Sequence, residues 1–370
     1  MDSRMRTLAF AIVVLAGMGT LQAQKAGCTD PQATNFDSLA TANNGSCVYT
    51  NTGYQPPQVG ALGVQLAEVS GLVWVHGRLY GLNDGGNPNA IYRIDTTTGA
   101  IAQTIVLEGT TNIDWEDMAQ DSSHIYVADV GNNGTGIRTN LVVYKFAKSW
   151  IAADTVTRVP AQAIERIAFA YADQTNFTNA TVNNTRFDCE AVIVLRNQLH
   201  LFTKNWVSAT TVHYTLPTQA GKHVAARKDS MATGGFMITG AAVAGYDKVV
   251  FTAYTRLGAC ALFLVFGFSD ADTALLSGAH KRRLALPSSL VLGQLEAVAF
   301  ENPLRGFLGA EAIGAFGVNQ RLYRVSTETF VIDHYKRNAP QFAQPGMLRF
   351  NTTTDGYEWF GGAAWQRLHE

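Results

Sequence analysis

Short apolar runs of strand length alternate along this chain with turns of Gly, Asn, Asp and Thr, and the order of these pieces recurs. LAEVSGLVWVHGRLYGLNDGG at 66–86 gives an apolar strand, a His-Gly turn, a second strand and a polar exit; IYRID and IAQTIVL follow at strand length. DWEDMAQDSSHIYVADVGNN at 114–133 repeats that order, with LVVYKF at 141–146 and ERIAFAYA at 165–172 completing a second unit. Further units begin at FDCEAVIVLRNQLHLFTKNW (187–206), MITGAAVAGYDKVVFTAYTR (237–256) and QLEAVAFENPLRGFLGAEA (294–312). With Glu68, Glu116, Glu190, Gly240 and Glu296 taken as equivalent marks, the steps between units are 48, 74, 50 and 56 residues. The long step contains DQTNFTNATVNNTR at 173–186, which has the composition of an exposed loop. Four-stranded units repeated at this interval predict an all-β fold, a β-propeller of five or six blades with five preferred. A sixth blade would fall in the weakly marked 315–345 region, and LGVQL at 62–66 is the expected strand that closes the ring by pairing first with last.

Composition supports this picture. The chain has 370 residues, 47% hydrophobic and 15% charged, enough for a large core, and its 34 glycines suit many turns. A formal net charge of -1 with no basic run argues against nucleic acid and against an anionic membrane surface. Residues 1–23 read as a signal peptide: Arg4 and Arg6, then LAFAIVVLAGMG, then a small-residue end at Ala23. The run is too short for a membrane span, so the mature chain is expected to have none and to be secreted, extracellular or at the cell surface. In residues 24–49, Cys28 and Cys47 bracket a polar segment with too little apolar surface for a core, which predicts a disulfide. Residues 50–58, with paired prolines, read as a linker, 59–338 as the propeller, and 339–370 as a C-terminal β motif.

Three resemblances follow from these residues. GCTDPQATNFDSLATANNGSC resembles a short module of secreted bacterial surface proteins; calcium binding there would use Asp30, Asp37, Asn43 and Asn44, and a stapled spacer is the plainer role. EVSGLVW, LNDGG, IYRID, DWEDMA, VADVGNN, FDCEA and LFTKNW resemble a family of exported bacterial propellers of unassigned activity. The EVSGL opening is similar to SdiA-regulated-type propellers and, more distantly, to regucalcin-like calcium-dependent lactonases, which would make Glu68 the first metal ligand. The tail PGMLRFNTTTDGYEWFGGAAWQRLHE resembles a β motif at the ends of bacterial and phage surface proteins.

Candidate chemistry lies in the carboxylates at the repeat marks. Glu68, Glu116, Glu190 and Glu296 are expected near one channel mouth as metal candidates, with Asp84, Asp114, Asp129, Asp188, Lys204, Asn205 and Glu311 on the same rim. Converging carboxylates bind a hard cation such as calcium, pair with basic groups, or raise one another's pKa. Arg138, Lys204 and Arg256 are the basic candidates. GxSxG, HExxH and CxxC are absent, so no nucleophile is assigned. His76, His124 and His200 read as turn residues; Cys189 reads as a core residue, and its pairing with Cys260 is left open. Trp74, Trp115, Trp206, Tyr126 and Tyr254 near strand ends could stack on sugars or anchor a peptide. Two functions are therefore carried forward. The first is a binding module for a glycan, peptide or surface protein, with calcium as a stabilising ion; the second is a metal-dependent hydrolase of lactonase or phosphoesterase type.

Overall fold

The computed structural model describes residues 24–178, 181–269, 274–337, 346–351, 356–361 and 364–368, so the predicted signal peptide lies outside the described residues. Five innermost strands, Val69–Val75, Trp115–Gln120, Cys189–Leu195, Met237–Val243 and Gln294–Phe300, each contact the next, and the last contacts the first. That ring makes the protein a five-bladed propeller.

Each blade continues outward through antiparallel neighbours: Arg78–Asn83, Ala90–Ile94 and Ile101–Leu107 in blade 1, His124–Asp129, Val142–Ala147 and Glu165–Tyr171 in blade 2. Blade 3 adds Gln198–Thr203, Thr210–Pro217 and Gly221–Ala232, and blade 4 adds Lys248–Tyr254, Cys260–Phe266 and His280–Ala285. Blade 5 has Arg305–Glu311 and Arg321–Ser326, and its fourth strand is Gln58–Ala61 from the start of the chain. The closing strand thus precedes the predicted LGVQL, whose Val64–Leu66 forms a short 3-10 turn. The 315–345 region supplies Arg321–Ser326 and the helix Glu328–Arg337, and among its described residues there is no sixth blade.

Burial explains why inner and outer strands read differently in the sequence. Val69–Val75 is nearly all buried because blades press on both its faces, whereas Ile101–Leu107 and His280–Ala285 alternate between buried and more exposed positions. Outer edges are also covered. Glu165–Tyr171 pairs in parallel with Gly221–Ala232, joining blades 2 and 3; Val156–Val159 and Thr52–Gly53 add to blades 1 and 4.

The N-terminal module carries the predicted Cys28–Cys47 disulfide, while Cys189 and Cys260 are free and buried. Its calcium candidates have partners of their own. Asp30 accepts from Tyr49 Oη (2.7 Å), Asp37 pairs with Lys25 (2.8 Å), and Asn43 and Asn44 accept from the backbone of Gly45 and Ser46. The module docks on blade 4, where Asn43 donates to Gly278 O (2.7 Å) and Cys47 Sγ meets His280 Nδ1 at 3.1 Å. Leu348–Asn351, Gly356–Phe360 and Trp365–Arg367 form a three-stranded meander at the C-terminal end. Among the described residues no helix is long and apolar enough to cross a membrane.

A candidate metal centre at the channel mouth

Pairing between first and second strands slips once in every blade, and that slip builds the site. The unpaired residue is Ser70, Glu116, Glu190, Thr239 and Glu296 in blades 1 to 5. A β-bulge of this kind turns a side chain out of the regular alternation. Here it brings one polar side chain per blade to the channel mouth, three of them carboxylates.

This register corrects two of the sequence marks. Glu68 is the counterpart of Asp114 and Asp188, not of Glu116, because Asp84 N, Val130 N and Lys204 N donate to the carbonyls of Glu68, Asp114 and Asp188 in turn. Glu68 is exposed, and its carboxylate accepts from Asn87 (2.5 Å) instead of joining the buried group. Gly240 is displaced by one position, and Thr239 takes the bulge. Ser70 and Thr239 were not anticipated, since neither is acidic and a bulge leaves no mark in the apolar pattern. The same carbonyl bonds align Asp84 with Lys204, and the pairing places Tyr254 and Glu311 in the corresponding position. Val130 occupies it in blade 2. Asp129 is therefore offset by one and turns to Arg138 (2.7 Å).

Two groups of three carboxylates converge so that one oxygen from each lies within 4.8 Å of the others: Asp84, Asp114 and Glu116, and Glu116, Asp188 and Glu190. Glu116 belongs to both. Its neighbour Gly131 leaves the room: a Cβ there would collide with the carboxylates of Glu116 and Asp114. The second group already has cationic and N–H partners. Asp188 accepts from Asn132 N (2.6 Å) and Trp206 Nε1 (2.7 Å), and Lys204 Nζ lies 2.9 Å from Glu190 and 4.0 Å from Glu296. Glu296 also accepts from Tyr254 (3.1 Å) and Gln294 (2.7 Å), which links it to Glu311 (2.8 Å). The first group has less. Arg138 stands 3.7 Å from Asp114, and among the described residues the Glu116 carboxylate has only Ser70 Oγ at 3.5 Å, whose proton goes to the Glu116 carbonyl. Asn205 caps its own turn through Ser208 and Thr210 and stays outside both groups.

Electrostatics follow from burial among like charges. Asp84 is pushed up to about 7 and Asp114 to about 6, mainly by desolvation, with Asp114 and Glu296 adding to the first and Asp188 and Asp129 to the second. Glu116 is raised well above the carboxylate range by burial and by Asp84, Glu190, Asp188 and Asp114. Glu311 reaches about 9, through burial and Glu296. Burial would lower Lys204, yet Glu190, Glu296 and their neighbours outweigh it and hold the ammonium charged.

Three buried oxygens bordering this cluster, Asn83 Oδ1, Asp129 Oδ2 and Glu296 Oε2, have no hydrogen-bond partner. An oxygen-only donor set, an excess of carboxylates over Lys204 and Arg138, and these orphaned acceptors fit a hard divalent cation.

Most of the expected aromatic platforms take other roles, while His76 lies in an exposed turn as expected. Trp74 stacks on Phe307 at 5.7 Å, Trp115 is wholly buried against Tyr144, and Tyr126 donates to Asp121 (2.7 Å). Trp206 and Tyr254 remain at the mouth, each with its ring about 5 Å from Lys204 Nζ. His200 is a buried strand residue bonded to His213 (2.8 Å), not a solvated turn residue.

No protein-family model matches the chain, and no curated protein matches it. Solved structures similar to it include the PQQ-bound aldose sugar dehydrogenase from Streptomyces coelicolor, at 12% identity and a TM-score of 0.41 over 73% of this chain and 96% of that one. A gluconolactonase from Xanthomonas campestris is 13% identical, with a TM-score of 0.33 over 70% of this chain and 72% of that one. The assignment as a propeller rests on the closed ring of strands described above.

Proposed function

We propose that this protein is a calcium-type, cation-dependent hydrolase of neutral carboxylic esters or lactones, working at the acidic channel mouth. The observation that carries this reading is the half-open group Asp84, Asp114 and Glu116, in which two half-buried aspartates titrate near neutral pH beside a buried glutamate. Asp114 and Glu116 would hold the cation. When bound, it polarises a substrate carbonyl and stabilises the charge developing on oxygen. Asp84, at about 7, suits a general base that takes a proton from the attacking water. Glu311, at about 9, keeps its proton at neutral pH and serves as the donor to the leaving alcohol. Lys204 neutralises Glu190 and Glu296. The remaining negative charge disfavours anionic phosphoesters and leaves a neutral carbonyl as the better ligand.

The binding-module reading loses ground because Trp74, Trp115 and Tyr126 are spent in packing. Placement outside the cytoplasm is part of the proposal, supported by the predicted signal peptide and the Cys28–Cys47 disulfide. The test is turnover of ester, lactone and phosphoester panels with calcium, magnesium or a chelator. Calcium-dependent ester or lactone hydrolysis that falls on the order of a hundredfold or more in Glu116→Gln is expected. Full stability in chelator together with no turnover on any panel would sink the proposal.

A further inference from the structure

Around the acidic mouth the loops of blades 3 to 5 expose large apolar side chains that the core does not use. Leu257 is 98% and Phe316 69% exposed, and Val207, Leu290 and Val291 are also exposed. Two clefts, of about 380 and 320 Å³, lie on either side of Leu257, within the size range of ligand sites, roughly 300–1,000 Å³. The smaller one is walled by Leu257, Leu290, Ile313 and Phe316, and its inner end is formed by Tyr254 and Gln294. Those two residues donate to Glu296 at 3.1 and 2.7 Å, so the apolar cleft opens directly from the mouth. Its one charged lining residue, Arg256, is turned aside: it donates to Trp206 O (3.0 Å) and lies over the Trp206 ring at 5.1 Å.

We propose that the cleft between Leu257, Leu290, Ile313 and Phe316 receives the unbranched apolar chain of an ester or lactone whose carbonyl enters the mouth. This rests on the hydrolase reading and narrows it to amphiphilic substrates with an uncharged chain. In the reaction, water oxygen bonds to the acyl carbon and the acyl C–O bond breaks. One water proton leaves with the alcohol; the acid departs as a carboxylate, its proton passing through Asp84 to solvent. Burial of each methylene in the cleft should raise affinity about fourfold until the cleft is filled.

The experiment compares p-nitrophenyl acetate, butyrate and octanoate with calcium present, in the wild type, Leu257→Ser and Phe316→Ser. Both residues are exposed, so neither change threatens the fold. Expected is a kcat/KM that rises with chain length, mostly through KM. In both variants the octanoate-to-acetate ratio collapses to within about twofold of unity while acetate turnover is kept. Chain-independent turnover in the wild type overturns the cleft and leaves the hydrolase reading standing. If neither these esters nor the lactones of the panel are turned over, the hydrolase reading fails and binding decides the cleft. Calorimetric binding of δ-decalactone about tenfold or more tighter than δ-valerolactone, lost in both variants, upholds it; equal affinities overturn it.

Discussion

Lys204 decides which of the two carboxylate groups is open to a cation. Its ammonium lies 2.9 Å from Glu190 and about 5 Å above the rings of Trp206 and Tyr254, so it already supplies positive charge to the Glu116–Asp188–Glu190 group. Among the described residues the Asp84–Asp114–Glu116 group has a weaker counter-charge, Arg138 at 3.7 Å from Asp114, whose shorter contacts go to Gly131 O (2.6 Å) and Asp129 (2.7 Å). Lys204→Met should therefore do two things. It leaves Glu190 and Glu296 without their buried counter-charge, which costs about 3–5 kcal/mol in calcium-free urea unfolding. It also vacates the second group, so the calcium stoichiometry measured by calorimetry should rise from one to two. Unchanged stability with unchanged stoichiometry would mean that Lys204 is not a substitute cation. At this scale the sequence identified the residue types and misplaced some of them. Glu116, Glu190, Glu296, Asp84, Asp188 and Lys204 do meet, but Glu68 lies two positions before the bulged Ser70, level with Asp114 and Asp188, and the apolar pattern does not show where the bulge falls.

The position after each bulge shows what an inner strand must supply at the channel axis. It is Gly71, Asp117, Ala191, Gly240 and Ala297, four small residues and one acid. Close approach requires the small ones: a Cβ on Gly240 would collide with the backbone carbonyl of Glu296. Asp117 fills the space they leave. Fully buried, it accepts from Met118 N (2.7 Å), Val192 N (2.9 Å) and Ala241 N (3.3 Å), tying the innermost strands of blades 2, 3 and 4 together below the acidic mouth. Asp117→Ala should leave two inter-blade N–H groups without an acceptor, at about 1–3 kcal/mol each, and Asp117→Asn should lose less because one amide oxygen still accepts. Urea midpoints of the two variants give the comparison, and equal losses would mean that packing, not hydrogen bonding, is what Asp117 provides. The closing strand was harder to read than these inner ones. Gln58–Ala61 follows paired prolines and has only Val59 as a sizeable apolar side chain, so its strand character comes from pairing with Arg321–Tyr323 rather than from its own sequence.

Over the whole molecule, the repeat was readable because every blade must present the same buried first hairpin to its neighbours, whereas the charge balance of the mouth exists only once the ring closes. That balance makes stability depend on protons and cations together. Asp114, Asp84 and Glu311 sit at about 6, 7 and 9 in the fold, above the values near 4 that they have in an unfolded chain. Between about pH 4 and pH 9 these three groups thus bind more protons in the fold than in the unfolded chain, and their linkage makes unfolding easier as pH rises, while His200 and His280, lowered to about 3, work in the opposite sense below about pH 6.5. The stabilising contribution of the three carboxyl groups is complete below about pH 4 and is lost as pH climbs through each folded value in turn. A divalent cation held at the mouth as proposed would take over the role of the lost protons, so its stabilising effect should grow over the same window. Urea midpoints in chelator should accordingly fall between about pH 6.5 and about pH 8.5, and millimolar calcium should flatten that slope. A midpoint that holds level in chelator would show that the carboxylates are already ionised and compensated in the native fold, and the need for a cation at the mouth would disappear with it.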